Sequence, residues 1–186
     1  MLLLIGLIAG LAVGALRGGK LLRLGELRGL WFAIASLVLD PVLHAVPDIG
    51  LWPKGLLTSA CYLCVVLFAV VNRRAKVGAA LLGTGTVLNY AVRAANAFRM
   101  PVSAKALEVY AGISAQEVLA RRADYCIADG STRLYRLGDI LYLPVPGIGG
   151  FASVGDIFIA AGICFLVIAV MGKKEPEPTV PEEAGK

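Results

Sequence analysis

Five apolar runs, each near the length of a membrane-crossing helix, alternate with short segments that carry most of the charge. They fall at 1–16, 30–49, 52–71, 77–98 and 151–171. A helix that crosses a bilayer needs about 20 mostly apolar residues, within a range of about 17–25. The first run is short but uncharged. The second is interrupted by Asp40, His44 and two prolines, and the fourth holds Arg93. Continuous runs of this kind cross lipid as helices, because only a helix satisfies its own backbone polar groups there. The pattern predicts an all-α fold: a polytopic membrane helix bundle of five transmembrane helices. Composition points the same way, with 58% apolar and 17% charged residues against about 45–50% and 25% in soluble domains. It excludes a disordered chain, a fibre and a secreted disulfide scaffold, for which four cysteines are too few.

The net charge of +5 would suit a nucleic-acid binder, but its placement does not. Arg17, Lys20, Arg23 and Arg28 follow the first run. Arg73, Arg74 and Lys76 follow the third, and Lys173 and Lys174 follow the fifth. These nine basic residues lie in alternate connections, as the positive-inside rule requires of cytoplasmic loops. The short loop between the second and third runs has only Lys54, beside Asp48. The expected N-terminus is outside and the C-terminus cytoplasmic. The first run has no basic leader and no cleavage signal, so it is expected to remain as an N-out anchor.

The remaining segment, 101–150, is expected to form an outward-facing lid on a single membrane domain of residues 1–171. Ser103 is placed to cap a short helix ending at Gly112, and Ser114-Ala-Gln-Glu117 reads as a capping box opening another. Asp129-Gly130 reads as a hairpin turn joining 125–127 to 132–135. Residues 137–144 are apolar but too short to cross, which makes them interfacial or re-entrant. The tail, 172–186, alternates Glu and Pro and is expected to be disordered.

Three constellations stand out. Gly6, Gly10 and Gly14 repeat every fourth residue, which lays a flat groove along one helix face for close packing. The partner is expected to be another helix of the same chain, with a second copy as the alternative. On the fourth run, Thr86, Asn89, Arg93 and Asn96 share a face, and Asp40 and His44 lie one turn apart on the second. At about 1.5 Å per residue, Asp40 lies about 15 Å from the inner end, His44 about 21 Å, Asn89 about 18 Å and Arg93 about 24 Å. Asp156 enters from outside to about 7 Å, near the level of Arg93. Asp40, His44, Asn89, Arg93, Asn96 and Asp156 are therefore a candidate polar cluster in the outer half of the bilayer. Ionisable groups in a span pair with one another, so Arg93 is expected to meet Asp156 or Asp40. Structural glue is the leading reading of the cluster and a ligand or ion site the alternative. The blander role for Asp156 alone is to complete the capping box Ser153-Val-Gly-Asp156.

Cys61-Tyr-Leu-Cys64 has the spacing of a redox pair but lies within an apolar run, where cysteine serves as a small hydrophobe. A membrane thiol oxidoreductase is the least favoured function. The cysteines and the lone His44 form no metal pattern, and no nucleophile elbow, zinc-protease helix or phosphate-binding loop occurs. The expectation is no cofactor, no metal and no catalytic residue. The expected partners are the lipid bilayer and a second copy or another membrane protein, without nucleic acid.

The order of motifs resembles a known family. A glycine-rich first run leads to Arg17-Gly-Gly-Lys-Leu-Leu-Arg-Leu, and Asn72-Arg-Arg74 follows the third. Asn89 to Asn96 leads into Arg99-Met-Pro-Val-Ser103. Thr132-Arg-Leu, Leu137-Gly-Asp-Ile140, a proline-rich run and Ser153-Val-Gly-Asp156 precede the last. Over nearly the whole chain, to Met171, this is similar to the small bacterial membrane proteins of domain of unknown function 5317. Arg-Met-Pro-Val-Ser and Gly-Asp-Ile are the most specific stretches. The family's usual Ala-Asn-Gly-Gly-Arg-Met-Pro is here Ala95-Asn-Ala-Phe-Arg-Met-Pro101, which implies a more helical turn before Arg99. The resemblance implies a polytopic protein of the bacterial plasma membrane. It implies no catalytic activity.

Overall fold

Glycine decides how closely these helices approach, and it does so in the computed structural model, which describes residues 2–45, 50–104, 107, 114, 116–117, 119, 124–143 and 150–172. Five α-helices account for most of it: α1 Leu2–Leu16, α2 Leu30–Ala45, α3 Leu51–Val71, α4 Lys76–Ala95 and α5 Val154–Met171. They pack side by side in the order α1, α5, α4, α3, α2. In α1 the buried residues are Gly6, Gly10 and Gly14. A Cβ on Gly6 would strike the backbone of Ala160, one on Gly10 would come within 2.9 Å of the Cys164 carbonyl, and one on Gly14 within 2.7 Å of the Met171 sulfur. The glycine face thus lies against α5 of the same chain, with α1 and α5 parallel.

The α4–α5 contact uses the same device at a spacing of seven. Gly78 abuts Gly162 and Leu166, and Gly85 abuts Gly155 and Ile159. That register makes the two helices antiparallel. The tilted Tyr62–Tyr90 ring contact and the Gly55–Phe98 contact make α3 and α4 antiparallel as well. The Cys61 thiol, donating to the Ser36 carbonyl, and the Asn72–Arg28 contact do the same for α2 and α3. Successive helices therefore alternate in direction. Phe68, Ala69, Leu82 and Leu166 form the core between α3, α4 and α5.

Two helices, α3 and α5, are long and apolar enough to cross a membrane, while α1 and α2 are apolar but shorter. At 20 residues α4 has the length, but its buried face carries Thr86, Asn89 and Arg93. Large apolar side chains point outward all along the row, including Leu4 and Ile8 on α1, Leu37 and Val38 on α2, Leu56 and Leu63 on α3, and Phe165 on α5.

Helix ends follow from local chemistry. After α1, Gly18 turns left-handed at φ +76°, and the Gly19 N–H donates back to the Gly14 carbonyl. This is the 6→1 closure of a Schellman motif. The turn after α4 corrects the expectation of a more helical path. The helix stops at Ala95, and Ala97 and Phe98 both adopt left-handed backbone, with φ of 54° and 57°. These two residues stand where the resemblance places two glycines. The left-handed conformation costs a non-glycine residue about 1–2 kcal/mol. Phe98 offsets its share by packing its ring on Gly55, but Ala97 is exposed. Ala97→Gly is therefore expected to raise stability by about 1 kcal/mol, read as a higher midpoint of unfolding in detergent. An unchanged or lower midpoint would show that Ala97 carries no strain.

The segment between α4 and α5 is not all-α. Strand β1, Met100–Val102, pairs in parallel with β2, Tyr125–Ile127, in the register Met100–Tyr125. Strand β3, Leu141–Leu143, pairs antiparallel with β4, Gly150–Ala152. The expected hairpin of 125–127 with 132–135 does not form. The Asp129 carboxylate accepts from the N–H and hydroxyl of Ser131, and Leu134 turns left-handed into a 3₁₀ turn at Tyr135–Leu137. Residues 132–135 are thereby bent away, and β2 finds the edge that the turn at 97–98 presents. Residues 141–143, expected to be interfacial or re-entrant, are a paired strand. The Ser114–Glu117 capping box is present, with the Glu117 N–H donating to Ser114 Oγ and the carboxylate accepting from Ser114 N–H. Val102 and Leu107, with Tyr125, Ile127 and Phe151 against them, give this lid a small core of its own. Most of the short helix expected at 103–112, residues 144–149 and the tail beyond 172 lie outside the described residues.

Candidate functional site

The polar face of α4 runs from Thr86 to Arg93, and each side chain on it is committed differently. The Thr86 hydroxyl donates to the Leu82 carbonyl of its own helix at 2.6 Å. One turn on, Asn89 meets the start of α5. Its Nδ2 donates to Asp156 Oδ1 at 2.7 Å, and its Oδ1 accepts from Ser153 Oγ at 2.7 Å. Ser153 Oγ in turn accepts from the Asp156 N–H at 2.9 Å, and the Asp156 carboxylate accepts from the Ser153 N–H at 3.1 Å. Asp156 therefore completes the capping box and binds Asn89 as well. The result is a closed ring of hydrogen bonds that ties α4 to α5 where Gly85 and Gly155 let the two backbones touch.

A turn further, Arg93 does not reach Asp156 or Asp40. Its Nη2 donates to Asp124 Oδ2 at 2.9 Å, and this pair is buried, with Arg93 8% exposed and Asp124 0%. Asp124 immediately precedes β2, and its own carbonyl accepts from the Met100 N–H at 2.7 Å. The acid thus fastens the lid to α4 through both side chain and backbone. Buried ions of opposite sign pair because an isolated one carries an uncompensated desolvation cost. The expected partners rest on level along the helices, and level along an axis does not give direction around it. Asp40 lies exposed on α2. His44 is helical, and its side chain lies outside the described residues.

Asn96 does not complete the hydrogen bonding of Arg93. It is the residue that ends α4, and its Nδ2 donates to the carbonyls of Val92 and Arg133 at 2.8 Å each while its Oδ1 accepts from the Arg133 N–H at 3.0 Å. Asn72 at the end of α3 does the same, donating to Phe68 and Arg28 carbonyls and accepting from the Arg28 N–H. Two asparagines thus clamp distant backbone to two helix ends.

Two further buried charges, Lys54 and Asp139, accompany the Arg93–Asp124 pair at the lid end of the bundle. Lys54 stands in the first turn of α3 at 7% exposure, not in the open loop where its sequence position puts it. Asp139 is 5% exposed, bridges to Val102 and lies within electrostatic reach of Arg93. With Asp124 these balance Arg93, so the group of four is neutral. The Arg93 Nε and Thr58 Oγ1 atoms are buried without a hydrogen-bond partner among the described residues. Sequence reasoning missed Lys54, Asp124 and Asp139. The one available signal was Asp139 in the Gly-Asp-Ile stretch. On the lid, burial pushes the Cys126 thiol up despite nearby Arg99, and hydrogen bonds from Ser131 hold Asp129 low.

Asn89, Ser153 and Asp156 are hydrogen-bonded to one another and Arg93 to Asp124, and among the described residues no cluster of His, Cys, Asp or Glu is placed to hold a metal ion. Cys61 is buried, and Cys61 and Cys64 are free thiols. No curated protein and no solved structure matches the chain. The model of a protein family does match, from residue 25 in the turn before α2 to residue 168 in the last turn of α5, and on that extent the chain belongs to the family of unknown function DUF5317.

Proposed function

We propose that the protein is an integral membrane protein of five spans with a structural or accessory role, not an enzymatic one. In this reading the lid faces out, the N-terminus is outside and the tail lies in the cytoplasm of a bacterial plasma membrane. The observation that carries it is the inverted burial of α1. Its glycines are inside, while Leu3, Leu4, Ile5, Leu7 and Ile8 face outward. In water a contiguous apolar face of this kind is costly, and on a folded protein it marks contact with a membrane or a partner. Lipid removes the penalty, and the alternating helix directions suit successive crossings. Trp31 and Trp52, both exposed at the first turns of α2 and α3, fall at opposite ends of the row, as interfacial aromatics do. The inward-turned polar groups of α4 support a role as glue, since polar side chains within a bundle hydrogen-bond across helices.

Two measurements test this reading. The protein should stay in the pellet through alkaline carbonate and leave it only with detergent. In a Cys126→Ser background, a membrane-impermeant maleimide applied to intact cells should label Gly130→Cys and not Ala184→Cys. Gly130 has open space around it, so the new thiol is accommodated. Labelling of position 184 alone would reverse the orientation, and release by carbonate would remove the protein from the bilayer altogether. The alternative, a small transporter or channel-like subunit, requires the α4 polar face to exchange with outside water. Fast hydrogen exchange at Asn89 and Ser153 would favour it over glue.

A further inference from the structure

At the other end of the row, a cavity of about 440 Å³ opens between the turn before α2, the α3–α4 connection and the last turn of α5. That is within the range of about 300–1,000 Å³ typical of small-molecule sites. Glu26, Arg28, Asn72, Arg74, Ala75 and Val170 are on its wall. Asn72 is spent on clamping the Arg28 backbone, which fixes the Arg28 Cα at the rim and leaves its guanidinium unused. Arg74 stands two residues beyond the clamp. Both guanidiniums are exposed, and neither is ion-paired within the described chain. Glu26, the acid on the wall, has a partner of its own.

Two uncommitted guanidiniums across a cavity of this size select for an anion with several oxygens. Arginine's planar fork of donors matches phosphate in a bidentate fashion, and its weak hydration makes the exchange with water cheap. The surroundings add to the field, since Arg17, Lys20, Arg23, Arg73 and Lys76 lie in the same two connections. The residue before α4, Ala75, lies on the cavity wall and offers no side-chain cap, so the positive end of the helix dipole is at this end. The wall also has an apolar side, with Val71, Ala169 and Val170, and Leu30 and Trp31 are exposed in the chain just after Arg28. A soluble anion has no use for this apolar side, whereas an acyl chain would lie along it.

We propose that this cavity binds a phosphate-bearing anion through Arg28 and Arg74, and that the phosphate is the headgroup of an anionic phospholipid in the inner leaflet. The lipid source rests on the membrane reading above; the phosphate chemistry does not.

The test uses the full chain in nanodiscs of phosphatidylcholine with and without phosphatidylglycerol, and in neutral detergent with inorganic phosphate. Arg28→Gln, Arg74→Gln and the double variant are compared with the parent. The clamp on residue 28 uses backbone atoms only, so the variants should unfold at the parent temperature in phosphatidylcholine alone. Phosphatidylglycerol should raise the unfolding temperature of the parent and remain bound to it in native mass spectrometry. Each single variant should weaken retention about tenfold, the loss of one charge-assisted contact. Equal effects of the two lipids, or a double variant that holds phosphatidylglycerol as the parent does, would overturn the site. Protection by millimolar phosphate in detergent, lost in the double variant and unmatched by phosphatidylglycerol, would overturn the lipid source and leave the anion site. Carbonate extraction reports on the membrane reading separately, so a failure of either is distinguishable.

Discussion

Arg93→Met destabilises the protein by about 3–5 kcal/mol, the usual result of removing one partner of a buried ion pair. The loss comes from Asp124, which is fully buried and would keep its charge without a cation 2.9 Å away. It also comes from the lid, because the Asp124 carbonyl anchors Met100 at the start of β1. Joining Arg93→Met to Asp124→Leu should return most of the stability, since an apolar pair of similar volume carries no desolvation cost. Denaturant or thermal unfolding of the purified protein in bicelles measures both. A single variant that unfolds at the parent midpoint would mean that Asp124 is not held by Arg93. A double variant no better than the single would place the damage in packing and not in charge.

The second large effect is expected at Gly6. Gly6→Leu puts a side chain into the backbone of Ala160, where no rotamer change makes room. Overpacking costs about 1–3 kcal/mol even when side chains yield, and a backbone collision lies at or above that range. The helix has no second face to fall back on, since its three glycines are its buried residues. The expected outcome is that α1 leaves α5. A lipid-soluble maleimide should then modify the half-buried Cys164, whose backbone abuts Gly10, several times faster than in the parent. Gly25→Ala, in open space, is the control and should change neither rate nor stability. An unaltered Cys164 rate together with parent stability would mean that α1 does not depend on this contact.

These two sites show what a sequence discloses and what it withholds. The glycine stripe was legible because small residues at a spacing of four have one main physical use in an apolar helix. The capping boxes at Ser114 and Ser153 were legible because every partner lies within three residues. Arg93 was legible as a group in need of a partner, but Asp124 lies 31 residues away in a segment whose path depends on tertiary pairing. Helical periodicity placed Asn96 with Asn89 and Arg93, yet periodicity lapses at the residue that ends the helix, and there the side chain serves the backbone. The left-handed pair at Ala97 and Phe98 was hidden for a related reason. Neither residue favours that conformation, and the contact that holds Phe98 comes from Gly55 on another helix. Lys54 was misplaced because a charge next to a helix start reads as loop until the fold around it is known to bury it.

The asparagine clamps have an evolutionary consequence. Asn72 and Asn96 grip residues 28 and 133 by peptide atoms alone, so nothing in either grip inspects the side chain it holds. Position 28 is therefore anchored in space while its chemical identity stays open to drift. A lineage that exchanged Arg28 for a lysine, a glutamine or an aromatic would keep the turn, the helix end and the shape of the adjoining hollow. Selection could then retune what occupies that hollow by single codon changes, without the stability losses that usually accompany new specificity.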